Sequence, residues 1–176
     1  MAENRVRLRW AQEEDVGSIL ELVRELAEFE KELNSVTLTE EKMKVDLKER
    51  HFVCILAEDT SQEESGGDPC AIGMALCHTR YSTWDGLCMH LEDLYVKPEH
   101  RGKGIGRLLI EACVKYTNDL KCKRLCWEVL DWNTRAIDFY KGLGSEFKEA
   151  WRCVRLSGSS LRNFNFRNKI EIDERR

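Results

Sequence analysis

Long apolar runs are missing from this chain of 176 residues. A helix that crosses a bilayer needs roughly 20 consecutive apolar residues, and no segment approaches that length. Residues 1–5 are not followed by the apolar stretch that a secretory signal requires. Charged residues make up 34% of the chain, which is typical of a soluble surface. These features predict a cytoplasmic protein with no membrane partner.

Excess positive charge and metal-binding motifs are also missing. The formal net charge is −4, and no basic stripe runs along the chain, so a nucleic-acid partner is not expected. None of the eight cysteines forms a Cys-x-x-Cys pair, and the four histidines show no ligand spacing. Several cysteines, such as Cys54 and Cys126, lie inside apolar runs and are interpreted as reduced core residues. We therefore expect no bound metal.

Strand and helix patterns alternate along the chain in the order β-α-α-β-β-β-α-β-α-β. This order predicts an α/β fold with a mixed, mostly antiparallel central sheet flanked by helices on both faces. Asp15 and Asn133 are candidate helix caps, and Thr37-Leu38-Thr39-Glu40 is a capping-box pattern that opens a second helix. The polar residues 59–69 predict a flexible hairpin loop. The predicted strands are residues 6–10, 52–58, 71–79, 87–96, 123–130 and 150–156.

A glycine-rich segment, Arg101-Gly102-Lys103-Gly104-Ile105-Gly106-Arg107, follows a predicted strand and opens a predicted helix. Glycine lets the backbone approach a phosphate closely, and the N–H groups of the first helical turn point at the anion. The segment lacks the Gly-Lys-Ser/Thr ending of a P-loop, and the third glycine of a dinucleotide-binding fingerprint is missing. Taken alone, it is equally compatible with a helix start that merely contains glycines.

Two longer segments resemble motifs of the GNAT acetyltransferase superfamily. Residues 94–109 are similar to its acetyl-CoA pyrophosphate-binding motif, and residues 131–144 look like its Asn…Ala…Phe-Tyr…Gly signature. Residues 25–30, 81–84, 91–93 and 130–133 resemble the diamine acetyltransferase family, with the thialysine N-epsilon-acetyltransferase branch as the best match. The resemblance extends from Val6 to Leu156. Residues 77–80 depart from it, because Cys-His-Thr-Arg replaces an aromatic-rich strand.

The resemblance implies a single GNAT-like domain at residues 1–162, followed by a flexible charged tail at residues 163–176. It also implies acetyl-CoA as the co-substrate and a homodimeric assembly. The cofactor-binding residues that it implies are Leu94, Tyr95, Val96, Arg101, Gly102, Lys103, Gly104, Ile105, Gly106, Arg107, Asn133, Thr134, Arg135, Ala136 and Tyr140.

Acetyl transfer to an amine needs two proton movements. A lysine-like amine has a pKa near 10.4, so forming its neutral state at pH 7 costs about 4.6 kcal/mol. The resemblance implies that Glu92 contacts the amine, which makes it a candidate base, and that Tyr140 is the general acid that protonates the leaving thiolate. Without the resemblance, Glu92 is an ordinary strand carboxylate and Tyr140 an aromatic residue on an amphipathic helix.

The implied acceptor is the primary amine of a small lysine-like amino acid or of a polyamine. Carboxylates and aromatic faces suit an ammonium group. Two alternatives remain open at this point: a protein lysine N-acetyltransferase and a non-catalytic CoA-binding regulator. The substrate-binding residues implied by the resemblance are Phe29, Glu30, Ser82, Trp84, Glu92, Asp93, Glu128 and Glu149.

Overall fold

The structure is a computed structural model that describes residues 5–61, 63 and 69–172. Its strands are β1 (Val6–Trp10), β2 (Val53–Asp59), β3 (Cys70–Ser82), β4 (Gly86–Val96) and β5 (Leu125–Cys126). Its α-helices are α1 (Val16–Phe29), α2 (Glu40–Lys48), α3 (Ile105–Asp119), α4 (Thr134–Gly142) and α5 (Gly158–Arg162). The chain divides into two compact units: residues 1–128 hold the sheet and α1–α3, and residues 129–176 hold α4 and α5.

The sheet has the strand order β1-β2-β3-β4-β5. The first four strands pair antiparallel, and β5 pairs parallel with β4. A bulge interrupts the β3–β4 pairing, because Leu76 pairs with Asp93 while Cys77 pairs with Leu91. Glu92 is therefore the extra residue of β4 at this point. The prediction of an α/β fold with a mixed, mostly antiparallel sheet is confirmed.

Helices lie on both faces of this sheet. On one face, α1 and α2 pack against β2, β3 and β4. On the other face lies α3, since the Sγ atom of Cys113 is 3.6 Å from that of Cys77. The buried residues that α1 and α2 share with the sheet are Val16, Ile19, Leu20, Leu22, Met43, Cys54, Leu56, Met74, Leu76 and Tyr95.

Two of the expected helix caps differ in how they work. The capping-box pattern at residues 37–40 predicted a helix start with Thr37 as its cap, but the cap of α2 is Thr39, whose side chain accepts a hydrogen bond from the Lys42 backbone N–H. Asp15 occupies the cap position of α1 without capping it. Its carboxylate instead accepts two hydrogen bonds from the Arg9 guanidinium and one from the Gln12 backbone N–H. A paired cation on β1 outcompetes the helix N–H groups for this carboxylate.

Two predicted strands are corrected by the structure. The predicted strand 123–130 shortens to Leu125–Cys126, and residues 150–156 form no strand. Trp151, Cys153 and Leu156 are apolar residues of this segment, but all three are exposed. A segment with strand propensity forms a strand only where a neighbouring strand supplies hydrogen-bonding partners.

Residues 62 and 64–68 of the predicted loop lie outside the described residues. No helix in the described part of the chain is long and apolar enough to span a membrane.

Candidate active site

The glycine loop joins β4 to α3. After Val96, a 3-10 turn at Pro98–His100 leads to Gly102 and Gly104, whose φ angles are 78° and 82°. Only glycine adopts this left-handed region at little cost, so the loop requires glycine at both positions. Gly104 is also the N-cap of α3. The first-turn N–H groups of an α-helix have no partner inside the helix, and the loop directs those of α3 toward one exposed corner, as an anion site needs.

Arg101 ties the start of this loop to the rest of the first unit. Its Nε donates a hydrogen bond to the Val96 carbonyl oxygen at 2.7 Å. Its guanidinium also lies over the rings of Phe29 and Tyr95, 5.6 and 5.3 Å from their centroids. Arg107 pairs with Glu111 one turn along α3. Two of the predicted phosphate ligands therefore also hold the loop and the helix in place.

One edge of β4 is open beside the loop. Leu94, Tyr95 and Val96 pair with β3 through Ala75, Met74 and Gly73. On the opposite side, β5 pairs only with Met89 and His90, and no other described strand pairs with this edge. Backbone N–H and C=O groups at an open sheet edge can bind an extended ligand as an added strand would. This geometry suits the predicted main-chain role of residues 94–96.

Carboxylates gather where β4 passes the end of α1. Burial, together with the smaller effects of the negative charges of Glu92 and Glu30, raises the pKa of Asp93 to about 6. Burial also raises the pKa of Glu30, with a smaller effect from Glu32. The structure thus brings together three residues predicted to bind the amine. A cationic ligand would relieve the repulsion among them.

Two histidines border this carboxylate group and were missed by sequence reasoning. His78 and His90 are direct partners across β3 and β4, with ring centroids 5.0 Å apart. Their Nε2 atoms lie 3.3 and 3.5 Å from Oε2 of Glu92. Burial lowers the pKa of His90, while the charges of Glu92 and Glu128 act in the opposite direction. The two histidines are twelve positions apart in the sequence, so only the register of the β3–β4 hairpin shows that they are neighbours.

Ser82 and Trp84 occupy the tip of the β3–β4 hairpin. Ser82 Oγ accepts hydrogen bonds from the backbone N–H groups of Trp84 and Asp85. The Trp84 side chain is 81% exposed. Because Ser82 lies four strand residues beyond His78, the two are on the order of 13 Å apart along β3. Within one chain, the structure does not bring these predicted substrate residues to the carboxylates.

The second unit carries the predicted acid. Asn133 caps α4, because its Oδ1 accepts a hydrogen bond from the Ala136 N–H at 3.2 Å. Tyr140 on α4 is 7% exposed, and burial raises the pKa of its phenol to about 12. Phe139 is only half-buried. Of these two neighbouring aromatic residues on α4, Tyr140 is therefore the more buried. Glu149, Thr134 and Arg135 are exposed.

A separate cavity of about 490 Å³ lies where β1 ends and β2 begins. Its wall contains Trp10, Arg50, Phe52 and Tyr116, and it reaches the histidine pair through His78. None of the residues predicted to bind cofactor or substrate lines it. We therefore locate the candidate site on β4 and the glycine loop and not in this cavity.

The chain is similar to known acetyltransferases, both in sequence and in fold. The thialysine N-epsilon-acetyltransferase of Bos taurus is 43% identical over 162 residues, which are 89% of this chain and 95% of that protein. The thialysine N-epsilon-acetyltransferase of Caenorhabditis elegans is 33% identical over 83% of this chain and 88% of its own length. A solved aminoglycoside acetyltransferase from a soil metagenomic sample superposes with a TM-score of 0.73 at 16% identity, over 89% of this chain and 100% of that one.

The profile of the acetyltransferase (GNAT) family matches residues 16–144. That range includes the glycine loop, the open edge of β4 and helix α4. The matched range is most of the chain, and it holds both motifs that suggested the resemblance. The prediction of an acetyltransferase is confirmed, and the chain belongs to the acetyltransferase (GNAT) family.

Proposed function

We propose that this enzyme transfers the acetyl group of acetyl-CoA to the primary amine of a small lysine-like amino acid or a polyamine. The observation that carries the proposal is the group of Glu30, Glu92 and Asp93, whose negative charges interact where β4 passes the end of α1. Such a group favours an ammonium-bearing acceptor. Relatives named for thialysine and for L-ornithine support a small amine, the latter being an L-ornithine N5-acetyltransferase of Arabidopsis thaliana that is 32% identical over 64% of this chain.

On the donor side, the proposal assigns the pyrophosphate of acetyl-CoA to the N–H groups of residues 102–107 at the start of α3. The pantetheine arm lies along the main chain of Leu94, Tyr95 and Val96, whose outer edge is open. Lys103 contributes positive charge, while Arg101 fixes the loop to Val96. Asn133, Thr134, Arg135 and Ala136, at the start of α4, complete the proposed cofactor-binding set.

Two side chains carry the proposed chemistry. Glu92 accepts a proton from the ammonium, directly or through water, and the neutral amine attacks the thioester carbonyl. The tetrahedral intermediate then expels the thiolate of CoA, and Tyr140 donates the proton that this thiolate takes up. The attacking nitrogen loses its second proton to solvent, and Tyr140 regains a proton from solvent. The raised pKa of Tyr140, about 12, keeps the phenol protonated at neutral pH. Phe29, Ser82, Trp84, Glu128 and Glu149 remain proposed substrate residues.

The decisive experiment is a panel of acetyl-CoA turnover assays on thialysine, lysine, ornithine, spermidine and lysine-containing peptides. We expect kcat/KM to be highest for a free small amine. Turnover of peptides alone would identify a protein lysine acetyltransferase instead. Binding of acetyl-CoA without turnover of any amine would identify a non-catalytic regulator and contradict the proposal.

The role of Glu92 is tested with Glu92→Gln. Loss of a general base costs about 10²–10⁴-fold in rate, so we expect a decrease of that order at pH 7. The deficit should shrink as pH rises toward the pKa of the amine, because the acceptor then loses its proton without help. Glu21→Gln, which changes an exposed carboxylate on α1, is the matched control. A pH-independent deficit would argue that Glu92 only binds the amine.

We also propose that the enzyme is a homodimer. Tyr81 and Trp84 on the β3–β4 hairpin are 77% and 81% exposed. Together they form an aromatic surface patch of the kind that marks a protein–protein interface. A second copy of the chain would cover it and could bring Ser82 and Trp84 to the partner's amine site. Sedimentation equilibrium should give twice the chain mass, and Tyr81→Ser with Trp84→Ser should shift the equilibrium toward monomer. A monomeric wild-type protein would contradict the proposal.

A cytoplasmic location is proposed from the cysteines. All eight are free, and five of them are buried: Cys54, Cys77, Cys88, Cys113 and Cys122. Unpaired thiols in this number suit a reducing compartment. Imaging of the tagged full-length chain tests the location, and signal confined to a secretory compartment would contradict it.

We further propose that residues 1–162 form the acetyltransferase domain and that residues 163–176 are a dispensable tail. Residues 163–172 are exposed throughout. A chain ending at residue 162 should retain kcat/KM and melting temperature. Loss of either would show that the tail belongs to the domain.

A further inference from the structure

Three metal-ligating side chains meet on the β3–β4 hairpin. His78 and His90 are cross-strand partners, and Glu92 follows two residues after His90 at the bulge. The ligand atoms His78 Nε2, His90 Nε2 and Glu92 Oε2 all lie within 4.8 Å of one another. The grouping depends on strand register and on the bulge, which aims Glu92 toward the two imidazoles.

The separations match the requirements of a small divalent ion. Zinc binds imidazole nitrogen and carboxylate oxygen at about 2.0–2.2 Å, so two ligands of a tetrahedral zinc are roughly 3.3–3.6 Å apart. The two nitrogen-to-oxygen separations are 3.3 Å for His78 and 3.5 Å for His90. Two edges of a coordination tetrahedron are thus already present without an ion.

The hydrogen bonding of His78 strengthens this interpretation. Its Nδ1 lies 3.2 Å from the Thr79 carbonyl oxygen, and a carbonyl only accepts, so Nδ1 carries the proton. With the proton on Nδ1, the Nε2 atom of the neutral imidazole has a lone pair that faces the carboxylate of Glu92 at 3.3 Å. Either a second ring proton or a metal ion satisfies this contact, and a metal ion would also engage His90, whose Nε2 lies 3.5 Å from the same oxygen. A second nitrogen bonded to a backbone carbonyl is also the usual support of a metal-binding histidine.

We propose that His78, His90 and Glu92 form a binding site for a divalent transition metal of the zinc class. Two imidazoles and one carboxylate favour zinc over calcium or magnesium, which prefer oxygen ligands. Three protein ligands leave a fourth position for water or another small ligand. The proposal departs from the sequence-based expectation of no metal, which rested on spacing along the chain.

Metal binding has a consequence that rests on the proposed function. Glu92 cannot hold a metal and accept the proton of the amine at the same time. Zinc should therefore inhibit acetyl transfer in competition with the amine, and a chelator should restore turnover. The metal is then a regulator of the site and not a participant in the reaction.

The test measures metal binding to the full-length protein without either substrate. Chelator-treated protein is titrated with Zn²⁺ by calorimetry and with Co²⁺ by visible absorption. A background of Cys70→Ser and Cys153→Ser removes the two exposed thiols. We expect one metal per chain and Co²⁺ bands free of thiolate charge transfer. His78→Gln and His90→Gln should each weaken zinc binding by on the order of 10–100-fold.

The matched control is His51→Gln. His51 also lies beside carboxylates, 3.0 Å from Asp46 and 3.4 Å from Glu49, but has no second histidine. Its substitution should leave zinc binding unchanged. Because His90 is partly buried, His90→Gln could lose zinc binding by unfolding. The more exposed His78→Gln variant, and thermal melts of both variants, distinguish loss of a metal ligand from loss of the fold. Three outcomes would overturn the proposal: no zinc binding, cobalt–thiolate bands, or an equal loss of binding in His51→Gln. The contact between His78 and Glu92 would then be explained by a proton that the two side chains share. Turnover of metal-free protein, measured separately, tests the proposed function.

Discussion

At the scale of single residues, Tyr140 shows how burial sets a chemical role. A phenol in water has a pKa near 10, and burial raises the pKa of Tyr140 to about 12. The phenol therefore stays protonated across the neutral range, which is the state that the proposed proton donor needs.

Replacing Tyr140 with Phe removes the proton donor and keeps the ring. We expect kcat to fall by about 10²–10⁴-fold, with the affinity for acetyl-CoA nearly unchanged. Tyr116→Phe is the control, because Tyr116 packs edge-on against Trp10, with ring centroids 4.8 Å apart, outside the proposed acetyl-transfer site. Steady-state kinetics and a separate binding titration distinguish the two effects. An unchanged kcat in Tyr140→Phe would remove this residue from the mechanism.

Asp15 illustrates a residue whose charge stabilises the fold. Two hydrogen bonds from Arg9 lower its pKa. A carboxyl whose pKa is lower in the folded state stabilises the protein above its unfolded pKa of about 3.9, and this contribution disappears as pH falls through the folded value. We expect Asp15→Asn to cost about 1–3 kcal/mol at pH 7. The difference from wild type should shrink below about pH 4.

Chemical denaturation at several pH values measures this effect. Asp119→Asn is the control, since Asp119 forms an exposed pair with Lys115 one turn away. Exposed pairs of this kind contribute about 0.3–0.5 kcal/mol. A cost for Asp15→Asn that does not vary with pH would show that packing, and not charge, is what the variant loses.

At the scale of elements, β3 and β4 approach closely at Gly73. A Cβ atom there would lie 2.7 Å from the Tyr95 carbonyl oxygen. Backbone cannot move aside as a flexible side chain can, so Gly73→Ala should destabilise the protein by about 1–3 kcal/mol. The residues that would shift, 95 and 96, belong to the proposed pantetheine edge, so the KM for acetyl-CoA should rise as well.

Gly17→Ala is the control for this substitution. A Cβ at Gly17 would lie 3.8 Å from Oε1 of Glu40, an ordinary contact, and alanine favours the helix α1 by about 0.5–1 kcal/mol. Denaturation midpoints should therefore move in opposite directions for the two variants. Equal midpoints would show that β3 and β4 have room for a methyl group at residue 73.

The elements also differ in how well sequence predicted them. The helix α2 was predicted from the capping-box pattern at residues 37–40, because capping is decided within a few residues, although the cap itself lies two residues later. Strand β5 was predicted to span eight residues, 123–130, but only Leu125 and Cys126 pair with β4. Residues 150–156 were predicted to form a strand and form none. Helix ends depend on neighbours along the chain, whereas a strand depends on a partner that sequence does not specify.

At the scale of the whole molecule, ligand binding should appear as thermal stability. A ligand that binds only the folded state at 100 times its Kd stabilises it by about 2.7 kcal/mol. We expect acetyl-CoA to raise Tm and NAD not to, which calorimetry or a dye-based melt can measure. A shift with NAD but none with acetyl-CoA would contradict the assigned donor.

Gly104→Ala should reduce that ligand-induced shift. Gly104 has a φ of 82°, and a left-handed non-glycine residue costs about 1–2 kcal/mol, which corresponds to roughly a tenfold loss of affinity. Gly142→Ala is the control, because residue 142 ends α4 with open space around its Cα. An undiminished shift in Gly104→Ala would mean that this loop conformation is not needed to bind the donor.

Features that depend on local order could be predicted from the amino-acid sequence. The glycine loop, the helix that it opens, the Asn133 cap and the position of Tyr140 on α4 all follow from short segments, and these segments carry the family resemblance. Which distant side chains meet became known from the folded chain. His78, His90 and Glu92 come together through the register and bulge of β3 and β4, and Glu30 reaches Asp93 through the packing of α1. Such contacts depend on pairing and packing across the chain, which one-dimensional spacing does not encode.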